Sequence, residues 1–110
     1  MAKNLKSYGE VMDVTLTGSV TSGDVMIVGA LAAIALSTGD SGDTIAASIE
    51  GVFEVAKLST DDVGQGDQLY WDSGNSQATL SDGTGANPAL GKAFVAAGNG
   101  ETTVQAKLNA

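Results

Sequence analysis

The chain has 110 residues, 43% hydrophobic but only 5% aromatic, with 15 glycines, one proline, no cysteine, no histidine and a formal net charge of -8. A disulfide scaffold and a collagen-like repeat are excluded, and the missing histidine and cysteine remove the usual nucleophilic triads, zinc ligands and proton shuttles. Nucleic acid is not an expected partner, since phosphate tracking needs clustered cations and the basic residues are Lys3 and Lys6 near the N-terminus plus the scattered Lys57, Lys92 and Lys107.

Residues 1–8 read as an N-terminal arm and residues 9–110 as one domain. The start, MAKNLKSYGEV, has lysines but no apolar stretch behind them, so no secretory signal is expected. Val11–Thr17 alternates Val11, Asp13, Thr15 and Thr17 against Met12, Val14 and Leu16, the period of a strand with one wet face. A Ser-Gly-Asp corner at Gly23 and Asp24 then feeds the apolar run Val25–Leu36, which is interrupted at Gly29. That run is shorter than the ~20 residues of a membrane helix, so no membrane is expected as a partner. Two strands, Val25–Val28 and Leu31–Leu36, fit it better than a helix, with Gly29 as a bend where backbones approach closely.

After the polar loop Ser37–Asp43, the segment Thr44–Lys57 reads as two strands around a glycine break, Val52 and Glu54 facing away from Phe53 and Val55. Ser59 or Thr60 is placed to cap a helical turn near residues 59–64, with Asp61 and Asp62 in its first positions. A second corner, Gly66 and Asp67, repeats the spacing of the first and leads into a strand at Gln68–Asp72, a turn at Ser73–Ser76 and a return strand at Gln77–Leu80. Ser81–Pro88 is a loop. Ala89–Ala97 and Thr102–Leu108 form a last pair joined by Gly98–Glu101, with Val104, Ala106 and Leu108 on one face. Eight or nine short strands describe an all-β fold, a small single-domain barrel or sandwich.

The paired acids at Asp61/Asp62 and Asp40/Asp43 read as turn residues rather than a catalytic pair. Neither DSGDT at Asp40 nor DSGNS at Asp72 completes a calcium loop, which requires glycine and glutamate at fixed later positions. No catalytic residue, metal or cofactor is therefore expected. Phe53, Tyr70, Trp71 and Phe94 are candidate core or subunit-interface aromatics, Tyr70 and Trp71 sending one ring inward and the other to a rim. An exposed Trp71 would instead suit a glycan-binding or adhesive surface module, the alternative reading.

Taken in order, MAKN, VTSGDVMIVGALAAIAL, EGVFEVAK, GQGDQLYWD, ALGKAFVAA and TTVQAKLN resemble the DUF2190 family of small phage and prophage capsid decoration proteins over nearly the whole chain. The resemblance implies a β-rich, non-catalytic homotrimer. Its partner would be the major capsid protein of an icosahedral phage head, whose outer surface it would bind, cementing capsomers at threefold or quasi-threefold positions. It further implies a virion location after synthesis in the bacterial cytoplasm. On that expectation Lys3, Asn4, Leu5, Lys6 and Tyr8 are the capsid-contact arm, the lysines meeting acidic capsid surface. The chain lacks arginine, one common interface anchor.

Overall fold

A computed structural model describes residues 10–110. Four strands, β1 (Val11–Thr15), β2 (Val25–Val28), β3 (Leu31–Ala35) and β4 (Thr44–Ser48), form one sheet in the order β1-β4-β3-β2. Five more, β5 (Val52–Ala56), β6 (Gln68–Asp72), β7 (Gln77–Thr79), β8 (Ala89–Ala93) and β9 (Thr103–Leu108), form a second in the order β5-β9-β8-β6-β7. Every strand pair is antiparallel.

The strands are short because the chain is repeatedly turned by one device. It occurs at Thr21–Asp24, Asp40–Asp43, Gly64–Asp67 and Gly98–Glu101. In each corner the third residue is a glycine with positive φ, 95° at Gly23, 92° at Gly42, 86° at Gly66 and 99° at Gly100. The fourth residue's amide returns to the first residue's carbonyl at 2.9–3.1 Å. Its carboxylate accepts the first residue's amide at 2.7–2.9 Å. Both polar groups of the first residue are thereby satisfied, and only glycine takes the third position without strain.

The corners work in pairs. The residues leading into them bridge, Val20 with Gly39 and Val63 with Ala97. Each corner glycine also donates across its sheet, Gly23 to Ala35, Gly42 to Leu16, Gly66 to Ala93 and Gly100 to Ser59. The two sheets consequently repeat one four-stranded unit: β1, β2, β3 and β4 correspond in order and position to β5, β6, β8 and β9, and β7 is an addition to the second. Val11-Met-Asp-Val14 stands where Val52-Phe-Glu-Val55 stands in the repeat. The two units together measure 44 × 37 × 24 Å.

Their cores correspond as well. Val14, Leu16, Val20, Met26, Ala35 and Ile45 pack together in the first unit. In the second, Val55, Val63, Leu69, Trp71, Ala93 and Val104 do so, in one cluster that also holds Leu90 and Leu108. Along β9 the alternation is complete, Val104, Ala106 and Leu108 buried and Thr103, Gln105 and Lys107 exposed. β3 is buried on both faces, and its Ala32 and Ile34 join the second unit's cluster, so a small-residue strand seals the junction. Lys57 occupies the place of Leu16. Its stem is buried and its ammonium donates to the carbonyls of Leu58 at 2.8 Å and Asp61 at 2.6 Å, which keeps the charge satisfied without a carboxylate partner.

Three expectations are corrected. Residues 59–64 form no helix: the Asp61 amide closes a turn on Leu58, and the chain then extends to the Val63 bridge. The helical turn among the described residues is a 3-10 turn at Gly83–Gly85, opened by the Asp82 carboxylate on the Thr84 amide. Gly29 has open space around it and is instead the positive-φ residue (61°) of the tight β2–β3 connection. The last pair is not a tight hairpin, because β8 ends at Ala93 and the chain detours to bridge Val63 before its corner.

One residue locks the junction and another fixes the packing inside the second sheet. Asn109 accepts the Ala32 amide at 2.9 Å and donates to the carbonyls of Ala32 and Ile49, both at 2.8 Å, tying the end of β9 to the first unit. Gly91 lies so close to β9 that a Cβ there would run into the Lys107 carbonyl. Gly91→Ala is expected to cost about 3 kcal/mol or more, in the range of severe core defects, measured as a loss of the cooperative urea transition. Asn109→Ala is expected to lower stability by about 1–3 kcal/mol, because it strands the backbone groups of Ala32, while strand content by circular dichroism stays unchanged.

Candidate interaction surface

Among the acids considered for chemistry, Asp43, Asp61 and Asp72 accept backbone amides. Asp61 accepts the Thr79 hydroxyl and the Leu80 amide, both at 2.9 Å, and so anchors β7. Asp72 accepts the Gly74 amide at 3.1 Å and the Asn75 side-chain amide at 2.8 Å, setting the β6–β7 turn. Asp40 and Asp43 belong to one of the corners, with Asp40 also accepting the Ser19 hydroxyl at 3.0 Å. Among the described residues no group of three or more acids is placed to hold a metal ion, and no helix is long and apolar enough to cross a membrane.

The aromatic residues divide by position along their strands. Trp71, on the inward face of β6, is only 7% exposed, which leaves no open ring for a sugar to stack on. Tyr70, its neighbour on the opposite face, is half-buried. Phe53 on β5 is half-buried, lying over Gly51 and against the second core. Phe94 is 50% exposed, directly beyond the end of β8, and Val95 beside it is 45% exposed. Leu36, in the matching position of the first unit, is also exposed. Val11 and Val52 form a second matched pair of exposed apolar residues, each opening the first strand of its unit.

The turn residues Gly23, Asp24, Gly66 and Asp67 sit in two of the four corners, remote from one another and without a shared pocket. Lys3, Asn4, Leu5, Lys6 and Tyr8 lie outside the described residues. What sequence reasoning missed is the doubling of the unit and, with it, the corners at Asp40–Asp43 and Gly98–Glu101, whose signal was present as glycine followed by an acid. Asn109, within the terminal TTVQAKLN motif, carries no sequence signal of its role as a clamp.

Trp71→Ala is expected to lower stability by about 3–5 kcal/mol, the cost of emptying a large buried site. Phe94→Ala should change the stability of the isolated chain by no more than about 0.5 kcal/mol. Thermal and urea unfolding of the two variants check the contrast, and equal losses would contradict the division into core and surface rings.

A family model described as "Phage cement protein" matches residues 6–108, the extent of both four-stranded units together. No curated protein and no solved structure gives a match. A match over nearly the whole chain, on an all-β domain, identifies it as a member of the phage cement protein family.

Proposed function

We propose that the protein binds the outer surface of an icosahedral phage head as a homotrimer and cements neighbouring capsomers at threefold or quasi-threefold positions through the major capsid protein. The family match over residues 6–108 carries this reading, since it spans the entire folded domain rather than a shared fragment. Exposed Phe94 and Val95 support the trimer. They are adjacent exposed apolar residues, Phe94 being the exposed ring among the large apolar residues that also include Val11, Leu31, Leu36 and Val52, and aromatic residues are enriched in the cores of subunit contacts. The role is structural and requires no catalytic group or cofactor.

The net charge of -8 supports the order of events. Copies made in the bacterial cytoplasm repel one another at long range and stay soluble, and association depends on short-range apolar contact. Each contact is modest, but repetition over a symmetric shell raises the effective concentration of every neighbouring site.

Light scattering coupled to size exclusion is expected to give three times the 10.9 kDa chain mass, and added undecorated heads should take up the protein to saturation. Phe94→Asp is expected to shift the scattering mass toward a single chain with an unchanged melting profile of the domain. Heads that take up no protein would refute the cement reading, whereas a Phe94→Asp trimer would move the subunit contact elsewhere.

A further inference from the structure

The two units differ by one strand, and the difference leaves a seam. In the second unit β7 fills the space between β6 and the end of β5. It pairs antiparallel with β6, Ala78 opposite Trp71, and bridges Lys57 in parallel, with the Leu58 amide donating to the Ala78 carbonyl at 2.9 Å. Ala78 is fully buried there and closes the core. In the first unit β2 turns directly into β3, and β1 and β2 are both sheet edges. The corresponding space is a cavity of about 400 Å³ lined chiefly by Val14, Leu16, Val20, Met26, Ile27 and Val28.

β7 therefore specifies what the first unit lacks. The occupant is a short extended segment, antiparallel to β2 and parallel to β1, centred opposite Val28, the position of Trp71 in the repeat. Val28 is much smaller than Trp71, so the inward residue has to be larger than the alanine that serves in the second unit. Charge adds a further requirement. Residues 10–50 contain Glu10, Asp13, Asp24, Asp40, Asp43 and Glu50 and no cation, so the occupant's flanks should be basic.

Asn4-Leu5-Lys6, preceded by Lys3, meets each requirement. The same chain cannot supply it, because a parallel neighbour of β1 needs a crossover of a dozen or more residues, and only Ser7–Glu10 separate Lys6 from β1. We propose that the N-terminal arm of one copy inserts Leu5 into the seam between β1 and β2 of a second copy, completing that unit as β7 completes its own. Donation in one direction makes a head-to-tail interface, which closes into a ring of three on the trimer reading above. The inference rests on that reading for the size of the ring alone.

The chain has no cysteine, so engineered thiols report the contact directly. Residues opposite each other in an antiparallel pair have Cβ atoms about 4.5–5.5 Å apart, close to disulfide reach. Mild oxidation of the full chain carrying Leu5→Cys and Val28→Cys is expected to give interchain products rising to three times 10.9 kDa. Their yield should exceed that of a Leu5→Cys, Asp82→Cys control about tenfold, reflecting the effective concentration of a seated arm. Leu5→Cys with Met26→Cys repeats the test should Val28→Cys unfold the domain. Linkage within one chain, or yields equal to the control for both pairs, overturns the proposal. So does an arm that becomes protected from protease only on undecorated heads, which would assign it to the capsid. Interchain linkage in a protein that fails to bind heads would uphold the seam and remove the capsid reading, so the two fail separately.

Discussion

The capture of a backbone amide by a carboxylate three residues on, around a left-handed glycine, is the interaction on which the architecture depends. A chain this poor in aromatic residues cannot rely on large rings to fix its turns. Each corner instead satisfies its own polar groups and exports one glycine amide to a neighbouring segment. A hydrogen bond of this kind contributes about 1 kcal/mol net, so no single corner dominates stability. Their effect is on register: with the corner fixed, the strand that follows has one alignment that buries its apolar face, and a slip of one residue would expose all of it.

Two corners bridged through the residues before them close one four-stranded unit, and the chain performs the operation twice. The repetition explains why small side chains suffice. β3 runs Leu-Ala-Ala-Ile-Ala with its last four residues buried, and it serves both cores because alanine on either face lets the units approach. Inside the second unit, glycine likewise lets backbones approach closely, at Gly91 and Lys107. Asn109 then makes across the junction the backbone-like contacts that a strand pair would otherwise make. The junction is thus held by backbone and amide geometry as much as by apolar area, and a polar clamp of this kind aligns the units as well as joining them.

Much of this fold was legible in the sequence, for physical reasons that differ by element. β9 was plain because one face is solvated, which writes the period of two directly into TTVQAKL. β3 was legible as a strand only through its brevity and bounding glycine, since a segment buried on both faces carries no period. The detour between β8 and β9 was not legible, because the apolar residues Phe94 and Val95 continue the strand pattern past the point where pairing stops. The helical capping pattern at Ser59 failed for a tertiary reason: Asp61 is claimed by Thr79 and Leu80, and Lys57 claims the Asp61 carbonyl. The family was legible from several motifs taken together in order, two of which, VTSGDVMIVGALAAIAL and GQGDQLYWD, contain corner glycines and one of which, TTVQAKLN, ends on the clamp Asn109. A subunit surface leaves no such mark, as an exposed phenylalanine and a buried one share a letter.

The unequal completion of the two units gives the duplication a functional sense. The second unit has its extra strand, a buried tryptophan and the satisfied Lys57. Among the described residues, the first has edges at β1 and β2, a cavity where β7 would lie, and, over residues 10–50, carboxylates without cations. Unpaired edges are a hazard for a protein made in quantity, and charge on or beside them is the usual protection. Here Asp13 on β1 and Asp24 immediately before β2 provide it. The second core is closed by β7 and by Ala32 and Ile34 of β3, whereas the first keeps its cavity. On the arm exchange proposed above, the first unit would gain its missing contacts only when copies meet, which places that part of the stabilisation at the assembly step.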